Sequence, residues 1–95
     1  MKCYIVGQEI DFDAGDIIFN KVRLLIKWGV KEFHTRGVND FEKMCEKTAQ
    51  NQGARVIRIN MPNLEEYNAV ICNFCDYEEE KLLTGTDEKI IINIS

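Results

Sequence analysis

The residues best suited to chemistry in this sequence lie in short polar segments that follow apolar, strand-like runs. Gly7-Gln8-Glu9 comes after the first run, and Arg36-Gly37-Val38-Asn39 lies between the second run and a helix signal. A helix N-terminus offers unpaired backbone N–H groups, and an arginine adds a charged, fork-shaped donor. These two segments therefore predict an anion site that suits a phosphate group.

Both segments also have a purely structural interpretation. A tight turn accounts for Gly7, and Asn39 can cap the helix by itself. Arg36 is then a solvated loop residue or a partner of Asp40. Neither a G-x-G-x-x-G fingerprint nor a Walker A motif is present, because the further glycines and the Lys-Ser/Thr pair are missing. A ligand site and ordinary loop structure thus stand as competing interpretations.

Cysteine spacing raises the question of redox chemistry. Cys72 and Cys75 form a C-x-x-C, which is the spacing of thiol–disulfide enzymes. Cys72, however, belongs to an apolar run, and the acidic residues that follow Cys75 disfavour a thiolate. With no export signal, we expect Cys3, Cys45, Cys72 and Cys75 to be free structural thiols rather than disulfides.

Metal binding and catalysis have no comparable pattern. A zinc site needs two further ligands beside the C-x-x-C, and the single histidine, His34, shows no paired spacing with Cys3 or Cys45. No nucleophile–base pair or carboxylate dyad is placed by spacing, so catalytic residues are not predicted. The sequence therefore predicts no metal and no cofactor, and leaves enzymatic activity uncertain.

The length and net charge of the chain indicate a single domain and argue against some classes of binding partner. The chain has 95 residues and a formal net charge of −4, which corresponds to one domain over residues 1–95. The acidic balance disfavours duplex nucleic acid, because binding by phosphate neutralisation needs a basic face. No apolar run is long enough for a signal peptide or a membrane span, so we expect a cytoplasmic protein that binds no membrane.

Hydrophobic periodicity predicts alternating strands and helices. The predicted strands are Lys2–Val6, Val30–His34, Ala54–Ile59, Ala69–Cys72 and Lys89–Ile94. The predicted helices are an amphipathic one ending at Trp28-Gly29, a second one capped by Asn39 with a stripe of Phe41, Met44, Cys45 and Ala49, and a short acidic one over Asp76–Leu83. This alternation predicts an α/β fold with a mainly parallel five-stranded sheet.

The predicted strand order is 3-2-1-4-5, because the arginine-bearing third strand suits an edge and the fourth strand returns beside the first. In such sheets ligands bind outside the carboxyl ends of the strands, where the winding direction reverses. Three loops meet at that edge. The residues predicted to bind a ligand are Gly7, Gln8, Glu9, Arg36, Gly37, Asn39 and Asn73.

The linear arrangement resembles the SLOG superfamily, the small Rossmann-like domains that include DprA and the Lonely Guy phosphoribohydrolases. The resemblance covers nearly the whole chain. It rests on Gly7-Gln8-Glu9 after the first strand, Gly29-Val30-Lys31-Glu32-Phe33, and Arg36-Gly37-Val38-Asn39-Asp40-Phe41-Glu42 leading into the second helix. The catalytic Pro-Gly-Gly-x-Gly-Thr segment of the phosphoribohydrolases has no counterpart here, so their reaction is not implied.

Two functional hypotheses follow from the sequence. The resemblance implies a non-catalytic nucleotide-binding module that senses or sequesters a nucleotide-derived ligand at the carboxyl edge of the sheet. The alternative is a protein-interaction module, such as a phage or mobile-element inhibitor or regulator, that keeps the fold without a ligand. A homo-oligomer and a protein partner are both left open.

Overall fold

The computed structural model describes residues 1–10, 13–74 and 89–94. Its strands are β1 (Lys2–Ile5), β2 (Glu32–Thr35), β3 (Arg55–Arg58), β4 (Ala69–Cys72) and β5 (Ile90–Asn93), and its helices are α1 (Gly15–Lys27), α2 (Asp40–Asn51) and a single 3-10 turn at Leu64–Glu66. The strands form one sheet in the order β3-β2-β1-β4-β5, with every pair parallel. The predicted fold class and strand order are confirmed. The helix predicted over Asp76–Leu83 lies outside the described residues.

Helix α1 follows the predicted apolar spacing. Ile18, Val22 and Leu25 are fully buried, and the helix ends where Gly29 adopts a φ of +111°. A side chain is strained at that φ, so glycine suits this position. The N–H of Val30 bonds to the carbonyl of Leu25 at 3.0 Å, which ties Val30 to the helix end. Strand β2 therefore begins two residues later than predicted.

Helix α2 begins with the predicted side-chain cap. The Asn39 side chain accepts a hydrogen bond from the Glu42 N–H at 2.9 Å, satisfying one of the free donors of the first turn. Phe41, Cys45 and Ala49 are fully buried against the sheet, and Met44 packs at the border of the same cluster. The predicted apolar stripe is thus the inner face of α2.

The sheet has two covered faces. The connections from β1 to β2 and from β2 to β3 run in the same direction, so right-handed crossovers place α1 and α2 on one side, called here the helical face. Its core includes Cys3, Ile5, Phe33 and Ile71 beneath the two helices. The opposite face carries a second cluster: Tyr4, Val6, Tyr67, Val70, Cys72 and Phe74.

The sheet edge at β3 explains two arginines that would be costly in its centre. Both Arg55 and Arg58 lie on this outermost strand and are exposed, as predicted. Arg58 donates two hydrogen bonds of 2.9 Å to the carboxylate of Glu46 on α2. This pair attaches the edge strand to the helix above it.

Within the part of the chain that the structure describes, neither helix reaches the length and apolarity that a bilayer crossing requires.

The burial of α2 generates a stability prediction. Phe41 is fully buried on the inner face of α2, whereas Lys43 is exposed on the outer face of the same helix. We expect Phe41→Ala to lower the free energy of unfolding by about 3–5 kcal/mol, because it leaves a cavity in the core. Lys43→Ala should change it by less than about 0.5 kcal/mol. Urea denaturation of both variants measures the difference, and equal midpoints would contradict this assignment of the helix faces.

Candidate functional site

The carboxyl ends of β1, β2 and β4 lie side by side, and the seven residues predicted to bind a ligand meet there. Gly7, Gln8 and Glu9 follow β1; Arg36, Gly37 and Asn39 follow β2; and Asn73 follows β4. Hydrogen bonds join the three loops directly. The sequence therefore predicted which residues assemble at this edge. Their hydrogen bonds show which of them contact one another.

The centre of the assembly is the carboxylate of Glu42, whose side chain is fully buried at the first turn of α2. Its Oε2 accepts hydrogen bonds from the Gly7 N–H at 3.1 Å and from Asn39 Nδ2 at 3.0 Å, and it forms an ion pair with Arg36 Nη2. Its Oε1 accepts from the Val38 N–H at 3.2 Å. Four donors, one from the end of β1 and three from residues 36–39, thus surround one buried negative charge.

The role of Glu42 differs from the one expected of a capping box. In that motif the glutamate reaches back to the backbone N–H of the cap residue, here Asn39. The Glu42 carboxylate instead reaches past Asn39 to the Val38 N–H and across to β1 through Gly7. The sequence correctly predicted where α2 begins. It did not predict that the Glu42 carboxylate joins residues that follow β1 and β2 and lies at the centre of the site.

Arg36 lies beside this carboxylate with about a third of its side chain exposed. Its Nη2 also donates to the Gly7 carbonyl at 3.1 Å, and the Glu42 hydrogen bond raises the pKa of the guanidinium. Its Nε is buried and has no hydrogen-bond partner. The guanidinium is therefore bound to Glu42 and to Gly7 through Nη2, and its Nε is a buried donor without a partner.

A second carboxylate occupies the helix N-terminus from outside. Both oxygens of Glu9 lie near the Asp40 N–H, at 3.3 and 3.4 Å. With Asn39 accepting from the Glu42 N–H, two of the donors in the first turn of α2 are taken by side chains. The positions predicted for an anion are thus filled by the protein's own acceptors.

The point where the winding direction reverses lies between β1 and β4, and a side-chain amide bridges it. Asn73 accepts from the Gln8 N–H through Oδ1 and donates to the Gln8 carbonyl through Nδ2, both at 2.8 Å. This paired contact continues the link between the two strands beyond their last residues. The two loops that flank a ligand crevice in other sheets of this kind are here joined to each other.

Two glycines at the site are required by packing against side chains. A Cβ at Gly7 would lie 2.3 Å from Asn73 Oδ1 and 2.4 Å from a ring carbon of Phe41. Gly37 has a φ of +66°, and a Cβ there would lie 2.5 Å from Arg58 Nε. Internal contacts therefore account for both glycines without any ligand.

His34 belongs to a separate polar chain on the opposite face. Its Nε2 lies 2.8 Å from Glu32 Oε1 and its Nδ1 lies 2.7 Å from the Tyr67 hydroxyl. An ionised carboxylate only accepts, so Nε2 donates to Glu32, and the other ring nitrogen is paired with the Tyr67 hydroxyl. Period-two spacing of Glu32 and His34 could have indicated that they share a face, but Tyr67 is distant in sequence and was missed.

This chain of groups lies in a largely apolar setting. Tyr67 stacks on Tyr4 with ring centroids 5.2 Å apart, and burial raises the pKa of Tyr67 to about 12. The pKa of the Glu32 carboxyl is lowered, chiefly by its hydrogen bond with His34. The phenol is thus held in its neutral form, which suits a structural hydrogen bond.

The cysteines that the structure describes are buried, as predicted. Burial raises the pKa of the Cys3 and Cys45 thiols far above its ordinary value, so neither is a reactive thiolate. Cys72 is buried within β4, and Cys75 lies outside the described residues. Among residues 1–10, 13–74 and 89–94, no cluster of histidine, cysteine and carboxylate side chains is arranged to hold a metal ion.

Comparisons with protein-family models, with curated proteins and with solved structures found no match for this chain. The class of the protein is therefore defined by its own geometry, which is that of a small Rossmann-like α/β domain with a parallel sheet.

The Glu42 assembly generates a second stability prediction. Glu42→Ala leaves the Gly7 N–H, the Asn39 amide and the Arg36 guanidinium without their shared acceptor, so we expect a loss of about 3–5 kcal/mol in unfolding free energy. Glu46→Ala, which removes the more exposed pair with Arg58, should cost about 1 kcal/mol or less. Urea denaturation compares the two, and equal losses would contradict a central role for Glu42.

The raised pKa of Tyr67 generates a prediction about alkaline pH. Because the folded pKa of about 12 exceeds the ordinary value of 10.0, the folded state favours the neutral phenol. The stabilisation that neutral Tyr67 gives the folded state is complete below about pH 10 and is lost as the pH rises through 12. In an absorbance titration of tyrosine at alkaline pH, the wild type should show an ionisation near pH 12 that is absent from Tyr67→Phe. Loss of one near 10 would contradict the assignment.

Proposed function

We propose that this protein is a non-catalytic protein-interaction module that keeps a Rossmann-like sheet without using the carboxyl edge for a nucleotide. The observation that carries the proposal is the position of the Glu42 carboxylate. It accepts from the backbone and guanidinium donors that would otherwise bind a phosphate at the N-terminus of α2. A domain whose own carboxylate takes this position fills its anion site from within.

Charge at the same edge supports the proposal. Arg36 is the cation of the cluster, and it is accompanied by the carboxylates of Glu42, Glu9 and Asp40. A phosphate would have to approach three negative groups and displace at least one of them. Electrostatic repulsion of this kind costs affinity for anions.

The bridge between Gln8 and Asn73 adds a steric argument. A nucleotide in sheets of this type enters between the loops that follow the strands at the reversal point. In this chain two hydrogen bonds of 2.8 Å join those loops, and opening them would leave an amide and a backbone peptide group unpaired. The contacts of a bound nucleotide would therefore have to offset the free energy lost by breaking these two hydrogen bonds.

Nucleotide binding is the second candidate, and one observation favours it. Arg36 keeps a buried Nε without a partner, and a third of its side chain is exposed at the edge where the SLOG resemblance implies a ligand. A phosphate could contact the exposed part of Arg36 and would gain the Asp40 N–H if the Glu9 carboxylate moved away. The two candidates therefore differ in what the removal of Glu9 should do.

A thermal-shift screen with nucleoside mono-, di- and triphosphates and cyclic nucleotides separates the candidates. For an interaction module, 1 mM of each compound leaves the melting temperature of the wild type and of Glu9→Gln unchanged. For a nucleotide-binding module, linkage stabilises the wild type by at least a few tenths of a kcal/mol even at millimolar Kd, and Glu9→Gln increases the shift. Glu65→Gln, an exposed glutamate on the 3-10 turn, is the matched control.

Native mass spectrometry of the protein purified from its own host gives the positive test. The proposal expects a protein partner at fixed stoichiometry and no added nucleotide mass. A retained nucleotide, together with a shift that depends on Arg36, would overturn it in favour of the second candidate.

A further inference from the structure

We propose that an extended, acidic segment of a partner protein pairs with the outer edge of β3 and adds a strand to the sheet there. This inference rests on the proposed interaction function, and it names the surface that is used and the chemistry of the partner. The outer edge of β3 is defined by Arg55, Val56, Ile57 and Arg58. Addition of a strand to an open sheet edge is a general mode of peptide recognition.

The backbone of β3 directs hydrogen-bonding groups away from the sheet. Strand β3 stands at the end of the strand order and pairs with β2 on one side. The N–H groups of Arg55 and Ile59 donate to carbonyls at the two ends of the β2 segment, at 3.1 and 2.9 Å. Because successive backbone groups of a strand alternate in direction, the N–H and C=O groups of Val56 and Arg58 point outward.

These outward groups are available for pairing. Within the described part of the chain, neither the N–H nor the C=O of Val56 or Arg58 forms a hydrogen bond. Arg58 contacts Glu46 through its guanidinium, which does not use the backbone groups. Val56 and Ile57 are half-buried, so an added strand would meet apolar side chains as well as free donors and acceptors.

The segment around β3 is basic, although the whole chain has a net charge of −4. From Lys47 to Leu64 the sequence contains no Asp or Glu, and its charged residues are Lys47, Arg55 and Arg58. Two of these three cations belong to β3 itself, and both are exposed. Charge complementarity therefore favours a partner segment that carries carboxylates.

The protein's own carboxylates do not satisfy both arginines. Glu32 is aligned with Arg55 across the β2–β3 pair, but its carboxylate bonds to His34. Arg55 forms no hydrogen bond or ion pair with another side chain among the described residues. Arg58 bonds to Glu46 and still has 60% of its side chain exposed. An incoming carboxylate would thus meet an unpaired Arg55 and an accessible Arg58.

The spacing of the two arginines specifies the pattern of the partner strand. Successive side chains of a strand point to opposite faces, so Arg55 and Arg58, three positions apart, lie on opposite faces of the sheet. Arg58 contacts Glu46 of α2 on the helical face, which places Arg55 on the other face. Directly opposed residues of paired strands share a face. A matching strand therefore carries two carboxylates three positions apart, with apolar residues between them.

A second copy of this chain matches the edge less well. Two β3 strands paired edge to edge would bring four arginines into one ribbon, and Glu46 is already bonded to Arg58 within each copy. Charged side chains on an edge strand oppose pairing with uncharged or like-charged strands. The arginines that limit self-association therefore select an acidic segment.

Three short synthetic peptides test the site and the carboxylate spacing. Their central sequences are Glu-Val-Val-Glu, Glu-Val-Glu-Val and Lys-Val-Val-Lys, with identical flanks and a fluorescent label. The first peptide presents one carboxylate to each face, whereas the second has the same composition and presents both to one face. By fluorescence anisotropy the first should bind the wild type at least about threefold more tightly than the second, and the lysine peptide more weakly than either.

Amide hydrogen exchange shows whether the peptide pairs with the backbone. In the free protein the N–H groups of Val56 and Arg58 face water and should exchange rapidly. The Glu-Val-Val-Glu peptide, at a concentration that saturates the anisotropy, should slow exchange at both positions by roughly tenfold or more. The Ile57 N–H points toward β2 and is the internal control, because it is already paired in the free protein.

Two pairs of variants locate the contact. Val56→Pro removes an outward N–H at an edge position, where sheets tolerate proline, and should weaken binding of Glu-Val-Val-Glu by roughly tenfold or more. Val56→Thr keeps the N–H and should stay within about twofold of the wild type. Arg55→Gln should weaken binding by roughly threefold or more, whereas Arg23→Gln, on the exposed side of α1, should not. If melting curves show that Val56→Pro is unfolded, Arg55→Gln and the exchange of the wild type decide the question.

The outcomes separate this inference from the proposed function. No binding at 1 mM Glu-Val-Val-Glu, equal affinity for the lysine peptide, or unchanged exchange at Val56 and Arg58 overturns the strand addition. A wild-type dimer that Val56→Pro dissociates also overturns it, because the occupant is then a second copy. If a partner purified from the host binds Val56→Pro and Arg55→Gln as tightly as the wild type, the interaction function stands and the assignment to β3 fails. A host preparation that carries a nucleotide and no protein partner overturns the proposed function instead.

Discussion

A buried carboxylate must be surrounded by donors, and Glu42 obtains one donor from the end of β1 and the others from the segment that leads from β2 into α2. The Gly7 N–H comes from the end of β1, Arg36 comes from the end of β2, and Val38 and Asn39 come from the loop before α2. Because isolated charge is costly in the core, these segments are held in one arrangement. The Glu42 carboxylate therefore links the end of β1 to the segment before α2, beside the backbone pairing that sets the register of β1 and β2.

The same interaction carries the functional proposal. Rossmann-like sheets use this edge for ligands because strand ends, loops and a helix N-terminus meet there. In this chain Glu42 accepts from Gly7, Arg36, Val38 and Asn39, and Asn73 links the loops across the reversal point. The architecture has therefore kept the geometry of a binding edge while using it for its own stability.

Much of the fold could be predicted because its signals are local. The apolar spacing of Ile18, Val22 and Leu25 and the cap at Asn39 defined the two helices, and the exposed arginines of β3 indicated an edge. The ends of the strands were harder to predict. Val30 was assigned to β2, but its N–H bonds to the carbonyl of Leu25 at the end of α1. The residue types around Val30 fit either element, and only the hydrogen bond in the folded chain distinguishes them.

The sequence by itself determined which residues gather at the carboxyl edge, since parallel strands must end together and each loop follows its strand. Only the tertiary structure decided their roles. Whether Arg36 faces a ligand or Glu42, and whether Asn73 faces a crevice or Gln8, depends on distances between segments 6 to 65 residues apart. Local pattern specifies an element and its exposed or buried side, but partners across the sheet are fixed by packing in three dimensions.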